Sequence, residues 1–171
     1  NLMGVSPLTS EHVGFRLGPR INAMGRLDHS FDCVQLLITR DEQKAHFLAS
    51  QLDTQNQKRK SIQDKIYKQA RQQIVERKLE SRKVLILAQE EWHMGVVGVV
   101  ASRLQEEYYR PVLIISLSDG VGRGSGRSIP GFHLFNALQS CYEFLIEYGG
   151  HELAAGFRTK KENIPDLEWG L

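Results

Sequence analysis

Cysteine is nearly missing from this chain. Cys33 and Cys141 stand far apart, with no Cys-x-x-Cys pair and no His/Cys spacing suited to zinc. That excludes a disulfide scaffold, and a reducing compartment, the cytoplasm, is the expectation. Long apolar runs are missing as well. No stretch of about 18 apolar residues occurs, so no membrane-spanning helix is expected. No signal peptide is visible. Nor does charge of one sign dominate: 22 Lys and Arg face 20 Asp and Glu, a net of +2, which alone says nothing about a polyanionic ligand. Proline and glycine are both missing between Asp41 and Glu80, so nothing there interrupts a helix.

What is present is enough apolar residue, 41% of the total, for a real core. The length of 171 residues suits one ordinary domain, or a smaller domain with an appendage. The chain opens at Asn1 rather than Met, so a piece of a longer protein is expected. Asn1 to Gly4 read as the end of a helix, broken before Pro7. Thr9 or Ser10 can cap a short helix that Gly18-Pro19 should stop, which leaves Arg16, Arg20 and Arg26 in a loop-rich region. There they either meet phosphate oxygens or pair with Asp28 or Asp32. Residues 31–39 suit a short helix with Val34, Leu37 and Ile38 inward.

Thr39 followed by Glu42 reads as a capping box. Beyond it Leu48, Leu52, Ile62, Ile66, Ala70 and Ile74 recur at helical spacing, with polar Gln55 and Arg59 in register. A helix of roughly 40 residues would run about 60 Å, so it should act as a connector. Its second half is basic: Lys58, Arg59, Lys60, Lys65, Lys68, Arg71, Arg77 and Lys78 against Asp64 and Glu76. Such a stripe fits a polyanion, or simply a solvated face.

The rest reads as β-α-β-β-α-β. Val84–Ala88 and Val112–Ser116 are short apolar runs of buried strands. Between them a helix starts near Gly95, where Gly95, Gly98, Ala101 and Ser102 make one face small enough for close packing. Asp119-Gly120 is a hairpin turn. Val121–Arg127 returns as a strand, glycine-rich because something approaches its backbone. A helix is expected from His133 to Leu145, closing at Tyr148-Gly149 with Gly149 as its cap. A strand then runs through Ala155–Thr159.

Three segments join glycine to basic residues: Gly18 to Arg26, Gly122 to Ser128, and Gly149 to Gly156. The third, Gly149-Gly150-His151-Glu152-Leu153-Ala154-Ala155-Gly156-Phe157, offers backbone N–H groups and one imidazole in a tight turn, as phosphate binding requires. Any one of these alone reads as a structural turn. Trp92 and His93 lie at the C-terminal end of the first strand, where open α/β sheets place ligands.

Together with Trp92-His93-Met94-Gly95-Val96-Val97-Gly98, these segments resemble the RecJ family of bacterial single-strand-specific exonucleases, in the DHH phosphoesterase superfamily. Gly14-Phe15-Arg16-Leu17-Gly18-Pro19-Arg20-Ile21-Asn22-Ala23-Met24-Gly25-Arg26-Leu27 is similar to that family's link between its two core domains. Gly124-Ser125-Gly126-Arg127-Ser128 and the Gly149–Gly156 segment resemble signatures of the DHH-associated domain. The resemblance runs from about Val13 to Thr159, in the family's order. It implies an α/β fold in which a long connecting helix precedes a small domain with a mixed sheet flanked by helices. The expected boundaries are 1–40 for the end of the DHH domain and link, 41–80 for the helix, and 81–171 for the DHH-associated domain.

The family's metal cluster is not in this sequence. There is no Asp-His-His tripeptide and no Asp-x-Asp; Asp28-His29 is the nearest echo and falls inside the link. The resemblance therefore implies Mn²⁺ or Mg²⁺ in the intact enzyme, held by a domain outside this chain, with two-metal chemistry there. This chain would be the substrate-binding half of a 5′→3′ single-stranded-DNA exonuclease of repair and recombination, binding single strands without cleaving them alone. In that reading Arg20, Asn22 and Arg26 hold phosphates, and Ser125 and Arg127 take a 5′ phosphate. Gly149 and Gly150 approach the nucleotide, and His151 donates a hydrogen bond as charge develops. Trp92 or His93 stacks on a base. Single-stranded DNA is the implied ligand, with single-strand-binding protein and a helicase as partners. Two other readings stay open: a DHH-family phosphodiesterase of short oligonucleotides, and a non-catalytic nucleic-acid-binding scaffold.

Overall fold

The structure, a computed structural model, describes residue 7 and residues 9–27 and 31–171. The expected helix end at Asn1 to Gly4 and the Asp28-His29 dipeptide lie outside those residues. The chain divides into two compact units, Asn1–Ile62 and Gln63–Leu171, and each is taken by itself.

In the first unit Thr9 opens helix α1, Ser10–His12. Its Oγ1 accepts from the His12 N–H, and His12 Nδ1 accepts from the Thr9 N–H at 3.2 Å. Gly18-Pro19 does not stop this helix. A wide π turn, Val13–Leu17, leads straight into α2, Gly18–Leu27, because the Gly18 N–H reaches back five residues to Val13 O. Pro19 then sits in the first turn of α2, where its missing N–H matters little. Arg16, Arg20 and Arg26 are thus helical rather than in loops. Helix α3 spans Phe31–Ile38. Its expected inward face is corrected: Val34, Leu37 and Ile38 are exposed, and Cys33 is the buried residue. Cys33, Met24 and Leu52 form a small cluster flanked by Ile21 and Leu36. Cys33 Sγ donates to Ile21 O, 3.7 Å away.

Helix α4 runs unbroken from Glu42 to Glu76, 35 residues, or about 52 Å at 1.5 Å per residue. Its cap is Asp41, not Thr39: Asp41 Oδ1 accepts from the N–H groups of Gln43 (2.9 Å) and Lys44 (3.1 Å). A carboxylate at a helix N-terminus prevails over a hydroxyl because it also meets the dipole. The apolar stripe is as spaced, with Leu48, Leu52, Ile66, Ala70 and Ile74 buried. Asn56 continues it as a buried polar residue, its Oδ1 held by Arg59. The helix ends before Lys78, which takes φ 53°.

The second unit holds the C-terminal part of α4 and a five-stranded sheet. Its elements are β1 (Leu85–Glu90), α5 (Met94–Tyr108), β2 (Val112–Ser118), β3 (Val121–Arg127), α6 (Leu134–Ser140), β4 (Leu145–Gly150), β5 (Ala154–Lys160) and α7 (Ile164–Gly170). The spatial order is β1-β2-β3-β5-β4. β1 and β2 are parallel through the α5 crossover, and every other pairing is antiparallel. Asp119 (φ 52°) and Gly120 (φ 76°) make the tight turn from β2 to β3, as two left-handed residues in a row require.

One expectation fails here. The helix after His133 ends at Ser140, and residues 145–150 are an edge strand. Gly149 is therefore a strand residue, not a helix cap. Leu145 and Tyr148 pack onto the core from a strand, and β4 gains a ladder with β5 that a longer helix would forfeit.

Strand alternation sorts the sheet into two faces. On one, Ile86, Leu113, Ile115, Ala155 and Phe157 form a core with Leu134, Leu138 and Cys141 around α6 and with Ile164 and Leu167 of α7. On the other, α5 lies over β2 and β3 with Val96, Val97, Val100, Ala101 and Leu104 buried. The even-numbered glycines of β3 belong to the first face: Phe157 fills the space beside Gly124, and Leu134 that beside Gly126. Arg123, Ser125 and Arg127 belong to the second.

Candidate nucleic-acid interface

Ser125 and Arg127 meet the helix that covers them. A Cβ on Gly98 would lie 2.9 Å from Ser125 Oγ and 3.1 Å from Arg127 Nη2. The missing side chain at Gly98 is what admits the guanidinium between helix and sheet. Arg127 Nη1 donates to Ser125 Oγ at 3.1 Å and to Gly126 O at 2.7 Å. A hydroxyl and a guanidinium are thus fixed side by side, both half-buried. A guanidinium fork oriented in this way suits an anion's oxygens.

Across the ladder Ser125 faces Gly156, and Gly156 faces Gly149. One rung therefore runs Ser125, Gly156, Gly149 over three strands, roughly 10 Å at the spacing of sheet strands. A Cβ at Gly149 would meet nothing within 4 Å, and one at Gly156 only Gly124 O at 3.9 Å. Packing does not demand these glycines. They leave the sheet bare on its α5 side, and an open groove of about 590 Å³ lies there, lined by Gly149, Gly156, Arg123, Arg158 and Met94 among others.

The loop from β4 to β5 carries His151. Gly150 takes φ +146°, and a Cβ there would strike the Ala154–Ala155 backbone, so only glycine fits. His151 N–H donates to Ala154 O at 2.8 Å. Two more bonds tie the loop down: Ser128 N–H to Leu153 O and Leu134 N–H to Glu152 O, each 2.9 Å. Arg127 pairs with Ala154 in the ladder, so these bonds hold the exposed His151 at the Arg127 end of the groove. Strand register places Ser125, Arg127, Gly149 and Gly150 on neighbouring strands, and the loop hydrogen bonds place His151 next to them.

His93 and Trp92 have different fates. His93 is exposed and caps α5, its Nδ1 accepting from the Gly95 N–H at 3.2 Å. In the neutral ring the proton then sits on Nε2, which remains a donor. Met94, its neighbour, lines the groove. Trp92 is only 3% exposed. Its indole N–H donates to Gln69 Oε1 at 2.9 Å, and its carbonyl takes the Ser116 hydroxyl. The ring offers no face to a base, so the stacking role expected for Trp92 is corrected to a core role. Its signal was a polar partner one helix away, which spacing does not reveal.

The basic stripe of α4 is partly engaged within the structure. Arg71 pairs with Glu107 at 3.1 Å, and Arg77 with Glu168 at 2.7 Å. Arg103 lies over the Tyr67 ring at 3.7 Å and pairs with Asp64. The Tyr67 hydroxyl donates to Glu107; burial, then this bond, push its pKa above the ordinary range. In the first unit Arg20 is also engaged: its Nε and Nη2 lie 3.0 Å from Asp53 Oδ1, and Nη1 donates to Arg16 O at 2.8 Å. Its partner is on α4. Asn22 and Arg26 are exposed on α2 at i and i+4, hence on one face.

Among the described residues no group of three or more His, Cys, Asp or Glu side chains is placed to hold a metal ion. No helix among them is long and apolar enough to cross a membrane. Sequence reasoning did not single out Arg123 and Arg158, which line the groove, or the contact of Gly98 with Ser125 and Arg127. The arginine at 123 was findable, since residues 123, 125 and 127 alternate on one strand face.

Comparison with known proteins gives the family and the fold. The family model described as the DHHA1 domain matches residues 81–168. The single-stranded-DNA-specific exonuclease RecJ of Bacillus subtilis is 37% identical over 165 residues, 95% of this chain but 21% of its own length. The crystal structure of RecJ from Thermus thermophilus in complex with Mg²⁺ superposes with a TM-score of 0.79 and 33% identity, covering 93% of this chain and 24% of that one. A crystal structure of exonuclease RecJ bound to manganese gives a TM-score of 0.81 at 32% identity, covering 98% of this chain and 41% of the other. The chain spans between 21% and 30% of the length of the curated relatives it matches.

Proposed function

Since the chain belongs to the DHHA1 domain family, we propose that it is the strand-gripping part of a metal-dependent 5′→3′ exonuclease for single-stranded DNA, working in repair and recombination in the cytoplasm. One observation carries the reading: Ser125 and Arg127 stand beside a glycine-floored groove. That groove lets a sugar-phosphate chain lie against bare backbone. Ser125 and Arg127 take the terminal 5′ phosphate, whose dianion matches a guanidinium and a hydroxyl. Gly149 and Gly150 admit the first nucleotide, and His151 donates a hydrogen bond to a phosphate oxygen. His93 offers its Nε2–H at the helix end. Asn22 and Arg26, with Arg20 when it exchanges Asp53 for phosphate, hold the strand elsewhere.

The divalent metal named with the solved relatives finds no ligand cluster among the described residues of this chain. The cutting chemistry is assigned to the DHH part of a longer polypeptide. This chain alone binds and does not cleave.

Two measurements test the proposal. Nuclease activity is compared, with Mn²⁺ present, between this chain and a longer polypeptide that joins it to its DHH domain; cleavage by the isolated chain would refute the division of labour. In the longer polypeptide, Arg127→Ala should impair use of 5′-phosphorylated ends more than 5′-hydroxyl ends. Equal loss on both would remove Arg127 from the phosphate pocket.

A further inference from the structure

Arg123 and Arg158 face each other directly across the β3–β5 ladder. Like charges in register on adjacent strands repel and destabilise the pair. The repulsion is barely relieved. Arg158 Nη1 reaches Glu147 Oε1 only at 3.4 Å, with the carboxylate side chain 63% exposed. Arg158 Nε is buried without a hydrogen-bond partner. The Arg123 side chain is exposed and makes no ion pair or hydrogen bond among the described residues. Both arginines line the glycine-floored groove and also a second hollow of about 420 Å³ that runs toward the β2–β3 turn.

Their position gives the ligand. Arg123 is two residues from Ser125 and four from Arg127 on one strand face, about 7 Å and 14 Å along the strand. The glycine floor connects the two places. We propose that Arg123 and Arg158 form a second anion subsite that grips an internal phosphodiester of the same strand whose 5′ end sits at Ser125 and Arg127. An internal diester carries one negative charge, and two converging guanidinium groups answer both its charge and the repulsion between themselves. This inference rests on the proposed function, because it assumes that a nucleic-acid strand enters the groove.

The test uses the 171-residue chain and two hexanucleotides of one sequence, one with a 5′ phosphate and one with a 5′ hydroxyl. Both carry the internal diesters. The double variant Arg123→Ala/Arg158→Ala should bind each about tenfold more weakly, the scale of one charge-assisted contact. The slope of log affinity against log salt should shrink by about 0.7. Arg123→Ala alone should weaken both hexamers in the same ratio without lowering the melting temperature, since it removes repulsion from an exposed site. Glu147→Gln should tighten binding of both. Unchanged affinity in the double variant, or loss confined to the 5′-phosphorylated hexamer, overturns the subsite while leaving the proposed function standing. A wild-type chain that binds neither hexamer overturns both.

Discussion

The guanidinium of Arg127 occupies the space where Gly98 would carry a side chain: a Cβ there would come within 3.1 Å of Nη2 and 2.9 Å of Ser125 Oγ. Helix α5 and strand β3 are therefore spaced so that a guanidinium fits between them, and the spacing depends on Gly98 carrying a hydrogen in place of a side chain.

Gly98→Ala separates stability from binding. The atoms it strikes are the ends of side chains, which can move. Replacing an interior helical glycine by alanine gains up to about 1 kcal/mol, so thermal melting should show no loss, or a small rise. The guanidinium and the hydroxyl must shift, and the preference for a 5′ phosphate over a 5′ hydroxyl in single-strand binding should fall. A variant that melts well below wild type, or keeps the preference, contradicts the packing described.

Trp92→Phe should leave single-strand affinity unchanged. It removes the indole N–H and strands Gln69 Oε1, which should cost about 1 kcal/mol in denaturant unfolding. A marked loss of affinity at unchanged stability would return Trp92 to the interface.

Burial raises the pKa of both thiols, Cys33 and Cys141, above the ordinary 9.0; nearby Asp32 adds to the effect at Cys33, and Glu143 at Cys141, where the Ser140 hydroxyl opposes it. A group that ionises to an anion and has a raised folded pKa holds its proton longer in the folded state. Its contribution is intact below the unfolded pKa and is lost as pH rises from there through the folded pKa. Unfolding free energy should therefore decline above about pH 9, and Cys33→Ala/Cys141→Ala should flatten that decline. At about pH 8, below the ordinary thiol pKa, a thiol-specific reagent should label the native chain slowly and the unfolded chain at once.

Much of the fold was legible because local signals agreed with tertiary ones. Val121–Arg127 reads as a strand, and the ladder begins and ends at those residues. The apolar stripe of α4 survives intact, because an uninterrupted 3.6-residue repeat has one solution. Legibility failed where a residue answers to distant partners. Pro19 looked like a stop, but the π turn before it removes the need for its N–H. Residues 145–148 looked helical, with Gly149 as a cap, but residues 145–150 form a strand paired to β5. Trp92 at a strand end suited either base stacking or the core, and Gln69 of α4 meets its indole N–H in the core. The glycine-and-basic segments singled out Ser125, Arg127, Gly149, Gly150 and His151, which fall on β3, on β4 and on the loop after it. The pairing of Arg123 with Arg158 stayed hidden because the two are far apart in the chain and become neighbours only through register.

The bare strip of the sheet has a consequence for anyone who grades substitutions by how well the protein survives heating. Nothing presses on Gly149, so a screen for folded, soluble chains will pass a bulky residue there as harmless, while it will discard almost any change at Gly150 one position on. A tolerance map drawn from expression or melting alone would thus mark the centre of the groove as dispensable ground.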